Sequence, residues 1–238
     1  MKLDILALGA HPDDVELTCS GTLLKAMQHG KKAGIIDFTK GELGTRGTPE
    51  IRMAEANASA EILGISVREN LCFRDGYIQN DEVHQLEVIK MIRKYQPDII
   101  LANAVTDRHP DHGRASDLAR EACFLAGLKN INTEIDGIEQ EAWRPKTVYH
   151  YIQSVPIEPD FVVDVTDIWD KKMASYKAFK SQFYDPKSEE PETYISNPGF
   201  LQMIESRAIH YGHSIGVKYG EGFTIERPMG VDDVFKLI

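Results

Sequence analysis

The chain has 238 residues, 42% of them hydrophobic and 27% charged, a composition that suits one folded domain with a buried core and excludes disorder as its main state. With 27 Lys and Arg against 37 Asp and Glu the formal net charge is -10, which leaves no electrostatic footprint for nucleic acid or an anionic membrane surface. Cys19, Cys72 and Cys123 are too widely spaced for a metal knuckle and odd in number, so they are expected as buried free thiols in a reducing compartment.

In chain order, residues 3–8 read as a strand, interrupted only by Asp4 and followed by His11-Pro12-Asp13-Asp14. That beginning is unlike a signal peptide, and no apolar run approaches the roughly 18 residues of a membrane span, so the expected location is the cytoplasm. Residues 21–30 read as a helix with Leu23, Leu24 and Met27 on one stripe and Gly30 as its stop. A strand over 33–38 precedes a helix over 49–63, with Pro49 in its first turn and Gly64 after its end. A strand over 67–73 precedes a helix over 81–95, capped by Asp81 and closed by Pro97. Residues 98–102 form a fourth strand and residues 113–128 another helix. In the second half, 147–153 and 161–165 read as strands, 167–183 and 200–211 as helices, and the proline-rich, acidic stretch 185–198 as a loop. Glycines 212, 216, 220 and 222 mark a loop-rich tail. Alternating strands and helices with near-continuous apolar strands imply an α/β fold: a Rossmann-like, doubly wound, mostly parallel sheet. A single domain over 1–238 is expected, with a core over about 1–165 and a C-terminal elaboration over about 166–238.

Two tetrapeptides carry the chemistry: His11-Pro12-Asp13-Asp14 and His109-Pro110-Asp111-His112. Eight His, eleven Pro and eighteen Asp would place His-Pro-Asp by chance about 0.03 times in such a chain, and it occurs twice. Pro and Asp are turn formers, so either tetrapeptide alone reads equally well as a turn. Their places in the topology favour a site. One follows the first strand and the other the fourth, the two strands that neighbour each other where a doubly wound sheet reverses its order and binds its ligand. Each X-Pro step holds its histidine extended. Convergent His and Asp are ligands for Zn²⁺ or another borderline divalent ion, and three protein ligands with an open position make a catalytic site. Gly9 and Gly21 lack the spacing of a dinucleotide fingerprint, and a carboxylate pair in that turn would repel a pyrophosphate.

The segment Ala10-His11-Pro12-Asp13-Asp14 together with His109-Pro110-Asp111-His112 resembles the signature of the PIG-L/LmbE-like metal-dependent N-deacetylases. Gly41-Glu42, Arg52 with Glu55, and Leu63-Gly64 are similar to the loop and helix after that family's second strand. Asp107-Arg108, Ser181-Gln182-Phe183 and the run from Gly216 to Phe223 are similar to the branch that makes bacillithiol. The resemblance spans nearly the whole chain. It implies His11, Asp14 and His112 as metal ligands, Asp13 as the general base toward the attacking water, and a protonated His109 as general acid and oxyanion donor. It further implies Asp111 as the residue that orients His109, and Arg52 as a substrate contact. Some relatives carry a tyrosine where this chain has Asp107, and others an oxyanion tyrosine in the C-terminal half, where Tyr184 and Tyr194 lie.

The remaining polar residues have plain readings. On sequence alone Arg52 is a helix-surface partner for Glu55. Arg108 abuts His109, and a guanidinium beside a cationic site makes sense if it holds a carboxylate or phosphate of the substrate. His29 and His84 are expected in solvent, His150 in a structural role, His210 and His213 in packing or at the pocket, and Glu189, Glu190 and Glu192 in a solvated loop. The expected activity is removal of the N-acetyl group from an N-acetylglucosamine conjugate by a Zn²⁺ enzyme, the same donors also accepting Fe²⁺. The resemblance points to N-acetylglucosaminyl-L-malate, in bacillithiol biosynthesis. The alternatives are another GlcNAc derivative, such as a chitooligosaccharide, and a metal-containing sugar-binding protein without turnover. Asp13 argues against the last, because binding alone needs no general base. The partner is then a small glycoside, with no nucleic acid and no membrane, and the resemblance adds a homo-oligomer.

Overall fold

A computed structural model describes residues 1–237. Its first half alternates β1 (Ile5–Gly9), α1 (Asp14–Thr18), α2 (Ser20–Gln28), β2 (Ala33–Thr39), α3 (Pro49–Leu63), β3 (Val67–Phe73), α4 (Glu82–Tyr95), β4 (Ile99–Ala102) and α5 (Pro110–Leu125). The expected punctuation is in place. Thr48 caps α3 by accepting from the Ile51 N–H with Pro49 at the helix start, and Gly64 ends that helix at φ 77°. Asp81 caps α4 by accepting from the His84 N–H. A small antiparallel hairpin, β5 (Glu134–Ile135) and β6 (Ile138–Glu139), is followed by β7 (Thr147–Tyr151), β8 (Phe161–Asp164), α6 (Trp169–Tyr176), α7 (Phe200–Ser214) and β9 (Gly220–Ile225).

The seven-stranded sheet has the order β3-β2-β1-β4-β7-β9-β8. Its first five strands are parallel, and β9 runs antiparallel between β7 and β8. Every residue of β1 and β2 is buried, as strands covered on both faces require. Leu6, Leu8, Ile36 and Phe38 pack on one face against Val88 and Ile92 of α4 and Leu118 and Ala122 of α5. Ala7 and Ile35 pack on the other against Val15, Leu23, Trp169, Tyr219 and Phe223. The sheet order reverses between β1 and β4, so the loops leaving these two strands flank one crevice.

The structure departs from expectation in the C-terminal half. The glycine-rich tail contains β9, an interior strand rather than a loop. Its glycines are there for close approach: a Cβ on Gly220 would lie 2.5 Å from Val162 and one on Gly222 2.9 Å from the Tyr211 ring. The helix expected over 167–183 is regular only over Trp169–Tyr176. Beyond it Phe179 N–H donates to Tyr176 O and Gln182 N–H to Phe179 O, tight turns that sink Tyr176, Phe179 and Phe183 into a third cluster with Ala56, Phe200 and Ile204. Cys19 and Cys123 are buried free thiols, but Cys72 is exposed, on the outermost strand β3. His84 is not free in solvent: its Nδ1 lies 2.7 Å from Asp81 and its ring stands edge-on to Phe73. Among the described residues no helix is long and apolar enough to cross a membrane.

Candidate active site

The turn from β1 into α1 carries His11, Asp13 and Asp14. Asp13 sits at φ 120°, ψ -22°, a conformation that costs a side-chain-bearing residue about 1–3 kcal/mol and recurs at functional sites. The turn from β4 into α5 carries His109 as N-cap, held extended at φ -83°, ψ 126° by Pro110 at the helix start. The two turns meet. The His11, His109 and His112 rings form a triangle with centroids 4.6, 5.4 and 5.1 Å apart. Asp14 lies between two of them, its Oδ2 3.6 Å from His11 Nδ1 and its Oδ1 3.2 Å from His112 Nε2. Donors on a tetrahedral ion with bonds of about 2.0 Å stand roughly 3.3 Å apart, close to these two separations, which are made by different oxygens of Asp14.

The remaining lone pairs of the trio are accounted for. Asp14 Oδ2 accepts from the His11 N–H and from Asn103 Nδ2, and its Oδ1 from Gln153 Nε2, each at 3.0 Å. His112 Nδ1 lies 2.6 Å from Asp107, and His11 Nε2 lies 3.0 Å from Asp75. A ring nitrogen turned to a carboxylate leaves the other nitrogen to face the ion, the arrangement that metal-ligating histidines adopt. His11, His109 and His112 also bring ligand atoms within 4.8 Å of one another, as do His11, Asp75 and Asp111.

Charge follows this geometry. Burial works against a charge on His11, but Asp111, Asp14 and Asp75 hold it well above the ordinary imidazole range. Burial also opposes charge on His112, and Asp14 and Asp107 lift it to about 9. Burial raises Asp14, yet His112 and His11 bring it well below the usual carboxylate range. The centre is thus built to hold positive charge, which a divalent ion would supply in place of protons. Burial pushes Asp13 up to about 7 against the pull of the Arg52 guanidinium, so this carboxylate takes up a proton far more readily than a solvated one.

Two expected roles differ in the structure. The Asp111 carboxylate does not touch His109. It accepts from the Gly76 N–H at 2.7 Å and from Arg114 at 3.2 Å, and lies 3.6 Å from His11 Nε2. His109 is oriented by the Asp111 main chain instead, whose N–H donates to His109 Nδ1 at 3.2 Å. A ring that accepts at Nδ1 carries its proton on Nε2 and is neutral. Burial, then the neighbouring His11 and His112, pull His109 down to about 4, so its surroundings favour a neutral donor over the expected imidazolium. Arg52 lines the cavity beside Asp13, as the expected substrate contact would, and its guanidinium also donates to Pro12 O at 2.8 Å and Gly41 O at 3.1 Å and pairs with Asp13 at 3.4 Å. Gly41, at φ 66°, makes room for it, since a Cβ there would lie 1.8 Å from the guanidinium. Glu55, its partner on sequence alone, instead holds the Ser181 N–H and hydroxyl.

The site opens into a cavity of about 370 Å³ whose lining includes His11, Asp13, Asp14, Arg52, Arg108, His109, His112 and Arg207. Arg108 lies over the Tyr194 ring at 4.2 Å, and among the described residues its guanidinium has no ion-pair partner. Tyr184 and Tyr194 are 50% and 44% exposed and neither lines this cavity. His210 lines a neighbouring cavity, His213 is exposed, and His150 is buried on Ser116. Glu190 is not simply solvated, since it pairs with Arg46 at 3.3 Å. Asp75, Asn103 and Gln153 bear no motif that marks them as part of the site, and the sequence singles out Asp107 without its tie to His112. Their shared signal is position: each follows the carboxyl end of a parallel strand, β3, β4 or β7, where ligands bind in such sheets.

The sequence profile described as GlcNAc-PI de-N-acetylase (PIG-L) matches residues 6–123. Diacetylchitobiose deacetylase of Thermococcus kodakarensis is 30% identical over 235 residues, covering 92% of this chain and 81% of that protein. A 4-oxalmesaconate hydratase of Pseudomonas putida is 31% identical over 149 residues, 61% of this chain and 56% of that protein. Among solved structures, the conserved protein TT1542 from Thermus thermophilus superposes with a TM-score of 0.85 at 34% identity, over 96% of this chain and 97% of that one.

Proposed function

The chain belongs to the PIG-L family, and from that premise we propose that it is a divalent-metal-dependent N-deacetylase of small N-acetylglucosamine saccharides, with a chitooligosaccharide such as diacetylchitobiose as its substrate. The observation that carries this reading is the convergence of His11, Asp14 and His112 beside Asp13, a buried carboxylate whose one ion-pair partner among the described residues is Arg52. The likeness to the chitobiose deacetylase over nearly the whole chain supports the substrate class.

The residues divide the work of amide hydrolysis. His11, Asp14 and His112 would hold the ion, Zn²⁺ by donor type with Fe²⁺ also accepted. When bound, such an ion supplies Lewis acidity toward the attacking water and the acetamide carbonyl. Asp13 accepts a proton from that water, for which a pKa near 7 suits it. His109, its Nδ1 fixed by the Asp111 N–H, offers a hydrogen bond from its Nε2–H to the carbonyl oxygen as that oxygen gains charge, and keeps the proton. Arg52 fixes the Asp13 turn through Pro12 O and Gly41 O. The C–N bond of the acetamide breaks, acetate leaves with the oxygen of the water, and the amine carries away the proton that Asp13 took up, which restores the Asp13 carboxylate.

N-acetylglucosaminyl-malate is a second reading, favoured by the Arg108 guanidinium on the cavity wall, which has no ion-pair partner among the described residues and suits a carboxylate of the aglycone. Rates of acetate release from diacetylchitobiose, N-acetylglucosaminyl-malate and N-acetylglucosamine decide between them. The proposal expects the highest kcat/KM on diacetylchitobiose. Preference for the malate conjugate would replace the substrate while leaving the deacetylase in place.

A further inference from the structure

We propose that Asp75 and Asp107 are positioning residues of matched design, each holding a metal-ligating imidazole with one carboxylate oxygen and a wall of the substrate cavity with the other. Filling the metal centre and ordering the walls are then one event. The inference rests on the reading of His11, Asp14 and His112 as the metal ligands.

Asp75 follows β3. Its Oδ1 lies 3.0 Å from His11 Nε2, and its Oδ2 accepts the Leu43 N–H at 2.9 Å. Leu43 and Gly44 line the cavity on a loop that leaves β2. Asp107 follows β4. Its Oδ2 lies 2.6 Å from His112 Nδ1, and its Oδ1 accepts the Ser154 and Val155 N–H groups at 2.8 and 2.7 Å. Gln153 and Ser154 line the same cavity, on the segment after β7. Two ligands thus have two clamps, on different strands, reaching two different loops.

The chemistry requires a carboxylate in this place. A histidine that ligates through one nitrogen carries its proton on the other, and that N–H needs an acceptor to fix the ring. The wall amide needs a second acceptor on the same side chain. A carboxylate has two, whereas an asparagine has one and must give up a partner. The Asp75 and Asp107 side chains are 6% and 0% exposed, so water does not stand in for a lost partner at low cost. An ion that orients His11 and His112 therefore also fixes the oxygens that hold Leu43, Ser154 and Val155.

The test uses the full-length protein, with Asp75→Asn and Asp107→Asn each acting as the control for the other. Zn²⁺ affinity is measured by competition with a chromogenic chelator. Amide hydrogen exchange is followed in peptides spanning Leu43 and spanning Ser154–Val155, with and without Zn²⁺. In the wild type Zn²⁺ slows exchange in both segments. Each variant binds Zn²⁺ about 10- to 100-fold more weakly. At saturating Zn²⁺, Asp75→Asn loses the protection at Leu43 and keeps it at Ser154–Val155, and Asp107→Asn does the reverse. Wild-type affinity in either variant overturns the proposal, as does equal loosening of both segments in both variants. The wild-type comparison stands even if a variant does not fold: exchange that ignores Zn²⁺ at both segments also overturns it. A wild type that binds no divalent ion would instead remove the metal-centre reading beneath it.

Discussion

Asp13 and Arg52 form the pair on which the pH behaviour turns. As the proposed base Asp13 works only when ionised, so activity should fall as pH drops through its pKa, near 7 by burial with Arg52 opposing. Removing the guanidinium takes away a charge that favours the carboxylate, and the pKa rises. Arg52→Met should therefore move the acidic limb of the kcat/KM profile to higher pH with metal content unchanged. A limb that stays in place would mean that another group controls it. Arg108 makes a different prediction, because it lines the cavity with no ion-pair partner among the described residues. A charge-assisted hydrogen bond contributes about 1.5–3 kcal/mol, or roughly 10- to 150-fold. Arg108→Ala should cost that factor in kcat/KM on N-acetylglucosaminyl-malate and little on diacetylchitobiose. Equal losses on both would make Arg108 a support for the Tyr194 loop. At this scale the two His-Pro-Asp motifs are legible in the chain itself, since turn chemistry and ligand type coincide in them. Asp75 is not, because its significance lies in the 3.0 Å to His11, 64 positions away.

Among the elements, β3 illustrates why local pattern misleads. Val67–Phe73 reads as an apolar strand with intrusions, but Arg68 is the link between β3, β2 and α1. Its guanidinium reaches both Asp37 oxygens, at 2.8 and 3.0 Å, and Glu16 at 2.5 Å, with all three side chains 4% exposed or less. Breaking a buried pair by removing one partner costs about 3–5 kcal/mol, because uncompensated charge stays behind. Arg68→Met should lower stability by about that amount in urea unfolding, leaving two carboxylates buried without a cation. A loss under about 1 kcal/mol, the scale of a solvated ion pair, would show that water enters the cluster. The parallel strands were readable because their apolar runs match burial on both faces, and α3 and α4 because their caps are local. β9 was not, since its glycines signal a loop locally and are required only by the approach of Val162 and Tyr211 from elsewhere in the fold. The early end of α6 has the same origin: Phe179 and Phe183 keep a helical spacing but are buried by turns.

For the whole molecule, the order reversal between β1 and β4 brings the two motif turns together and the strand ends after β3 and β7 supply their supports. An ion that binds only the folded chain stabilises it by mass action, about 2.7 kcal/mol when free ion is 100 times its Kd. For a chain of this size that is a rise of about 5–10 °C in Tm. Chelation should reverse the rise, and His112→Ala should abolish it; an unchanged Tm would count against a metal centre spanning both turns. The most direct test of the account is acetate and free-amine release from diacetylchitobiose by metal-loaded wild type, chelated wild type and metal-loaded Asp13→Asn. The account predicts equimolar acetate and amine from the loaded wild type and none above background after chelation, with recovery on adding Zn²⁺. In Asp13→Asn, full metal occupancy should accompany a rate about 10²- to 10⁴-fold lower. Turnover that survives chelation, or an Asp13→Asn variant as fast as wild type, would contradict it.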